Sequence, residues 1–369
     1  MRLFKNTLIF LICATLCAMA LISCASGASP GPGAAGSGGS ASQSSGAGKD
    51  GAPTTGAPTA SPPTAPTVFA EAPATIRVGG LKGPTTIGMV KLIADSEAGA
   101  TANKYEFKVA GAADELTPLL AQGGLDIAAI PINLASVLYN NTNGGIRLLA
   151  VNTLGVTYIV QAGDGDQIES VSDLRGKTIY CTGKGSVPEY ALRYLLEQNG
   201  LNPDKDVSIE WKSEPPEVVA ILSQSGGVAM LPQPYVTVAQ GALPDLRIAI
   251  NMTEAWDKLN NGSTLITGGL VGRQDFIGKY PALLSVFLDE YKASTEYVNA
   301  NLQDAAALVE NVGIVKAAVA VKAIPYCNIV YMEGKDMRDA AGGYLKVLHS
   351  LNPKAVGGKL PESDFYFSR

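Results

Sequence analysis

From Ala74 onward the sequence reads as an α/β protein of two lobes, each a mainly parallel sheet flanked by helices. Short apolar, β-branched runs alternate with stretches of helical spacing at the pace expected of βαβ units. The alternation occurs in two series, each opening with a strand, a Gly-rich turn and a helix. Each series also contains a strand that ends in proline and an amide, Pro131-Ile132-Asn133 and Pro232-Gln233-Pro234.

In the first series, Thr75 to Gly79 is a short strand and Lys82 to Thr86 a turn with helix-start residues. A helix is predicted over Ile87–Ile93, a strand over Tyr105–Val109 and a helix from Asp114 to Leu120. Leu125 to Ile130 has the unbroken apolar character of a buried strand, and Leu134–Tyr139 is again helical. The long apolar stretch Ile146–Val160, broken at Asn152-Thr153-Leu154-Gly155, predicts two strands that leave the first lobe.

The second series opens at Val171-Ser172-Asp173-Leu174-Arg175-Gly176-Lys177, followed by the strand Thr178–Cys181 and a turn through Pro188. A helix over Glu189–Gln198, a strand over Val207–Trp211, a helix over Pro216–Ser223 and strands at Val228–Leu231 and Leu246–Ile250 complete it. Leu265–Arg273 is a return strand. Pro281 to Leu351 is mostly helix, interrupted at Ile324-Pro325-Tyr326-Cys327. Lobe one is expected at 74–158 plus 268–369 and lobe two at 159–267, so the chain crosses twice and forms a hinge.

The first 73 residues differ in texture. Arg2 and Lys5 precede an apolar run from Leu8 to Leu21, which meets Leu21-Ile22-Ser23-Cys24. This reads as a signal-peptide pattern over 1–23 with a lipidation cysteine at Cys24; the ordinary explanations are an uncleaved anchor helix or a plain secretory signal with an incidental cysteine. Its apolar core is about 14 residues, short of the roughly 20 that span a bilayer. Residues 24–73 are mostly Ala, Gly, Ser, Thr and Pro with almost no large apolar side chain, a linker composition that cannot offset its ordering entropy. About 50 such residues span on the order of 40 Å. The expected location is therefore the extracytoplasmic face of a membrane, cell surface or periplasm, held by lipid.

The whole chain has 369 residues, 46% of them hydrophobic and 17% charged, which suits a packed body. The net charge of −5 without any Lys/Arg block leaves no footprint for nucleic acid. Of five cysteines only Cys181 and Cys327 lie in the body, in apolar surroundings that fit either a disulfide or two buried thiols. Neither has a metal-type spacing, and the single histidine, His349, rules out a His-rich zinc site. No nucleophile elbow is present. Neither a metal nor a cofactor is expected.

Several segments in this order resemble the periplasmic-type solute-binding proteins of bacterial ABC importers. They are Val78-Gly79-Gly80-Leu81-Lys82-Gly83-Pro84-Thr85, Leu125 to Pro131, Asp173 to Ile179 and Val228 to Tyr235. The branch they resemble serves nitrate, sulfonates, taurine and thiamine-pyrimidine precursors. The resemblance implies a type II periplasmic-binding-protein clamshell that closes on one small solute and delivers it to a permease driven by an ATPase subunit.

Ligands of open α/β sheets sit beyond the carboxyl ends of the strands. That rule selects Gly83, Pro84, Thr85 and Thr86, where backbone N–H groups and two hydroxyls suit an anion or a carbonyl. Gly183, Lys184, Gly185 and Ser186 take the same place in lobe two, with glycines for close backbone approach and a lysine charge. The amides of Asn133 and Gln233 both donate and accept. Asn152 and Thr153 lie near the hinge. Glu214 and Trp256 are secondary candidates, with exposure and core packing as their ordinary explanations. Hydroxyls and helix caps at the same positions fit plain structural capping equally well.

The expected function is capture of a small polar or anionic solute, of sulfonate, nitrate or pyrimidine-precursor type, by a monomeric, lipid-anchored protein that is not an enzyme. The alternatives are a clamshell enzyme of cofactor biosynthesis and a ligand-sensing surface lipoprotein.

Overall fold

The computed structural model describes residues 75–369, all within one compact unit. The signal segment 1–23, Cys24 and the linker 24–73 lie outside the described residues.

The chain runs β1 (Thr75–Leu81), α1 (Pro84–Ile87), α2 (Val90–Glu97), β2 (Lys104–Ala110), α3 (Thr117–Gln122), β3 (Ile127–Pro131), α4 (Ile132–Asn141) and β4 (Ile146–Leu154). It then enters a second sheet through β5 (Thr157–Ala162), β6 (Thr178–Thr182), α5 (Val187–Gln198), β7 (Ser208–Lys212), α6 (Pro215–Ser225), β8 (Gly227–Pro232), α7 (Tyr235–Ala242), β9 (Arg247–Asn251) and α8 (Met252–Asp257). It returns with β10 (Ile266–Arg273), α9 (Gln274–Lys279), α10 (Pro281–Ala300), α11 (Leu302–Asn311), α12 (Ala317–Ala323), β11 (Ile329–Met332) and α13 (Gly334–Leu351).

The first sheet has the order β11-β4-β10-β3-β1-β2 and the second β7-β6-β8-β5-β9. The α/β class stands, but the sheets are mixed rather than mainly parallel. β1 pairs in parallel with β2 and β3, as β6 does with β7 and β8. The antiparallel pairs all involve strands next to the crossings or added after them. β10 returns from the second sheet and inserts between β3 and β4, while β5 enters it and inserts between β8 and β9. β11, in a region read from sequence as helical, adds antiparallel to β4.

The stretch read as one helix over Ile87–Ile93 breaks at Gly88. The Gly88 carbonyl accepts from the hydroxyls of Ser294 at 2.8 Å and Thr295 at 3.4 Å, both on α10. A Cβ at Gly88 would lie 3.0 Å from Ile329 Cγ2, so α10 and β11 press directly on this backbone. The result is a separate one-turn α1 ahead of α2.

One hydrophobic cluster runs through both lobes. It joins Ile132 and Leu148 under the first sheet to Cys181 and Leu192 under the second. Trp256 of α8, fully buried, stacks 4.8 Å from Tyr194 on α5 and 5.3 Å from Tyr344 on α13. Its indole N–H donates to Ser263 Oγ at 3.1 Å, so Trp256 is packing and not a ligand contact. Cys181 and Cys327 are free and buried. Burial pushes the Cys327 thiol up to about 12 and the Cys181 thiol up as well, so neither is a thiolate near neutral pH. No helix among the described residues is long and apolar enough to cross a membrane.

Candidate functional site

The ends of the strands meet at a cleft of about 600 Å³ between the two sheets. From the first sheet it is walled by Leu81 at the end of β1, Gly83 after it, Gly111 after β2, Pro131 at the end of β3 and Thr267 at the start of β10. From the second it is walled by Thr157 at the start of β5, Thr182 at the end of β6, Lys212 at the end of β7 and Pro232 at the end of β8. Parallel strands contribute their carboxyl ends and antiparallel ones their amino ends, as the strand-end rule requires.

Of the residues selected from sequence, Gly83, Pro84, Thr85, Gly183, Lys184, Gly185 and Ser186 line this cleft. Thr85 is 4% exposed, and its hydroxyl has no hydrogen-bond partner. A buried unpaired hydroxyl is costly unless something else satisfies it. Thr86 is fully buried beside it, also with an unpaired hydroxyl, but it faces the sheet: a Cβ at Gly80 would sit 2.3 Å from Thr86 Oγ1. Gly268 makes the same room for Thr85, since a Cβ there would sit 2.4 Å from Thr85 Cγ2.

Asn152 and Thr153 lie behind the cleft rather than in it. The Asn152 amide nitrogen donates to the Thr85 carbonyl at 3.0 Å and to the Tyr291 hydroxyl at 2.9 Å. Its oxygen accepts from Thr153 Oγ1 at 3.1 Å. The pair therefore fixes the α1 turn. Tyr291 is fully buried, and burial pushes its hydroxyl up to about 12, which keeps it a neutral partner.

Asn133 is fully buried at the start of α4, and its amide nitrogen donates at 3.2 Å to Gly185 O in lobe two and to Ala355 O. It ties lobe one to the Gly183–Ser186 turn. That turn is further held from below. Glu189 accepts the Gly185 N–H at 2.7 Å and Arg193 Nε at 2.9 Å, and Ser186 Oγ donates to Gly183 O at 2.8 Å. Gly183 and Gly185 have φ of 82° and 76°, the left-handed region where glycine is favoured.

Gln233 lies elsewhere. Its side chain accepts from Thr237 Oγ1 at 2.9 Å and lines a separate groove with Tyr158 and Tyr326. Side chains alternate along a strand, so Pro232 faces the cleft and its neighbour does not. Glu214 caps α6 at the cleft rim, its backbone N–H donating to Glu217 Oε1 at 3.1 Å.

The cleft also holds groups the sequence reading missed: Lys82, Asp114, Thr117, Thr157, Thr182, Lys212, Ser213 and Thr267. All stand at strand ends or helix starts, the signal that could have found them. Three lysines (Lys82, Lys184 and Lys212) face one carboxylate, Asp114. Lys212 is shared with Glu210 at 3.1 Å, whereas Lys82 and Lys184 form no ion pair among the described residues. The starts of α1, α4, α5 and α6 converge here as well, each carrying partial positive charge. The prolines that open α1 and α6 leave fewer N–H groups than a bare helix start, so hydroxyls supply many of the donors. The remaining wall is apolar: Leu81, Leu134, Val156, Val187, Pro188 and Pro215. The cleft thus sets cationic and hydrogen-bonding groups against an apolar wall. Among the described residues no group of His, Cys, Asp and Glu could hold a metal ion.

Residues 97–233 match the family model of ABC transporter, phosphonate, periplasmic substrate-binding proteins. The fold is similar to that of an ABC transporter protein from Parabacteroides distasonis, at 25% identity and TM-score 0.66, over 80% of this chain and 99% of that one. It is also similar to the periplasmic aliphatic sulphonate binding protein of Escherichia coli, at 17% identity and TM-score 0.63, over 80% and 93%. The periplasmic nitrate-binding protein of Synechocystis aligns at 14% identity and TM-score 0.51, over 64% and 65%. No curated protein matches. The fold is similar to that of the type II periplasmic-binding proteins, and the match over residues 97–233 is to substrate-binding proteins of ABC transporters, in line with the resemblance in the sequence. The matched family is one of substrate-binding proteins, not of enzymes.

Proposed function

We propose that the protein captures a small organic oxyanion, of sulfonate or phosphonate type, between its two lobes and presents it to the permease and ATPase of an ABC importer. One observation carries this reading: a cleft with three lysines against one carboxylate, holding a buried hydroxyl, Thr85, that lacks a partner. An oxyanion accepts from that hydroxyl and from the lysines. The apolar wall fits an alkyl body better than it fits a bare inorganic ion. The jaws follow the two sheets, so the bounds expected from sequence, 74–158 plus 268–369 and 159–267, shift by a few residues: one jaw runs through β4 and resumes at β10, the other runs from β5 through α8, and the hinge lies at the crossings after β4 and before β10. Ligand held by both jaws favours the shut form, which the permease reads. The chemistry is binding alone, without turnover. Upstream, processing at Cys24 attaches lipid, and residues 24–73 tether the monomeric body at the extracytoplasmic face.

Thermal unfolding with a fixed panel tests the reading. Methanesulfonate, ethanesulfonate and methylphosphonate are compared with the neutral analogue dimethyl sulfone. An anion at 100 times its Kd stabilises by about 2.7 kcal/mol. We expect at least one anion to raise the melting temperature in a dose-dependent way while the sulfone does not. Equal behaviour of anions and sulfone would remove the reading.

A further inference from the structure

A second cavity, about 680 Å³, opens between the lobes away from the cleft. Its lobe-two wall comes from β5, Gln233 just after β8, α7, β9 and α8, and its lobe-one wall from α12 and the turn that follows it. The two large hydrophobic side chains exposed among the described residues, Ile248 at 41% and Tyr326 at 58%, both line this cavity. Gln233 is 3% exposed there; its oxygen is taken by Thr237, and its amide nitrogen has no hydrogen-bond partner among the described residues. Two opposite charges line the same space, Glu254 from lobe two and Lys322 from lobe one, and they are not paired with each other. Glu254 Oε1 accepts from Asn251 at 2.9 Å, which leaves its second oxygen open, and Lys322 has no partner among the described residues.

We propose that this cavity is a second binding site, for a zwitterionic α-amino acid with an apolar or aromatic side chain. Its carboxylate meets Lys322 and the Gln233 amide N–H, its ammonium meets Glu254, and its side chain covers Ile248 and Tyr326. A neutral ligand would leave both charges unused, and a ligand with one charge would leave its counterpart facing the apolar wall without a partner. A zwitterion satisfies both while adding no net charge. The occupant bridges the lobes, so it acts on the hinge as well. The site is independent of the cleft reading, because Thr157 and Pro232 face one cavity and Tyr158 and Gln233 the other.

The test is saturation-transfer NMR and calorimetry of the full-length protein with L-phenylalanine, its methyl ester and N-acetyl-phenylalanine. The two derivatives each keep one charge. We expect L-phenylalanine to bind and each derivative to bind about tenfold more weakly or worse, the loss of one charge-assisted hydrogen bond. Lys322→Met and Glu254→Gln each weaken L-phenylalanine to a similar extent, whereas the cleft variant Thr85→Val leaves it unchanged. No binding of L-phenylalanine at millimolar concentration, equal binding of the three compounds, or loss of binding in Thr85→Val would overturn the proposal.

Discussion

Thr85 concentrates the tension between stability and binding in one side chain. Its hydroxyl is buried without a partner, a cost of about 1–3 kcal/mol in the empty protein. Valine has nearly the same shape and no polar atom. Thr85→Val is therefore expected to raise the stability of the empty protein by about 1 kcal/mol, read by denaturant unfolding, and to weaken oxyanion binding about tenfold, read by calorimetry. A variant that is less stable and binds as before would show the hydroxyl to be a structural group. Asn152 belongs to the same argument one layer back, since it reaches the site only through the Thr85 carbonyl and Tyr291.

Among the elements, the α4 start, the Gly183–Ser186 turn and the C-terminal segment meet at one amide. Asn133 serves Gly185 O and Ala355 O, and Ser136 Oγ donates to Val356 O at 2.9 Å from the next turn of α4. Asn133→Ala leaves two carbonyls short of a donor and should cost about 1–3 kcal/mol of stability. Unchanged unfolding in that variant would mean that the turn is held by Glu189 and Arg193 alone. Much of the layout of elements was legible in the sequence: the Gly-rich turns at 83–86 and 183–186 stand at the cleft because parallel strands put their carboxyl ends there. What stayed hidden depends on contacts distant in the chain. The break at Gly88 is imposed by Ser294 and Thr295 on α10, and β11 exists because β4 offers it an edge. Gln233 was assigned to the cleft because the strand end was right and its parity was not. Which of two neighbours faces the ligand is set by pairing with β5, which no local pattern reveals.

At the largest scale, the described residues form two sheets that share one hydrophobic cluster, with the chain crossing at Gly155-Val156 and again ahead of β10. Leu154 N–H donates to Asn328 O at 3.1 Å, and the Asn328 amide returns to Gly155 O, so the crossing is anchored to lobe one. The closure proposed above would pivot next to this anchor, with the Trp256–Tyr344 stack on the side of the shared core. The most direct measurement of the central claim is a crystal structure grown with the anion that most raises the melting temperature. The account predicts density for that anion between Thr85 and the Gly183–Ser186 turn, within hydrogen-bond reach of the Thr85 hydroxyl. Density for the anion outside the cleft, with Thr85 still unpaired, would contradict it.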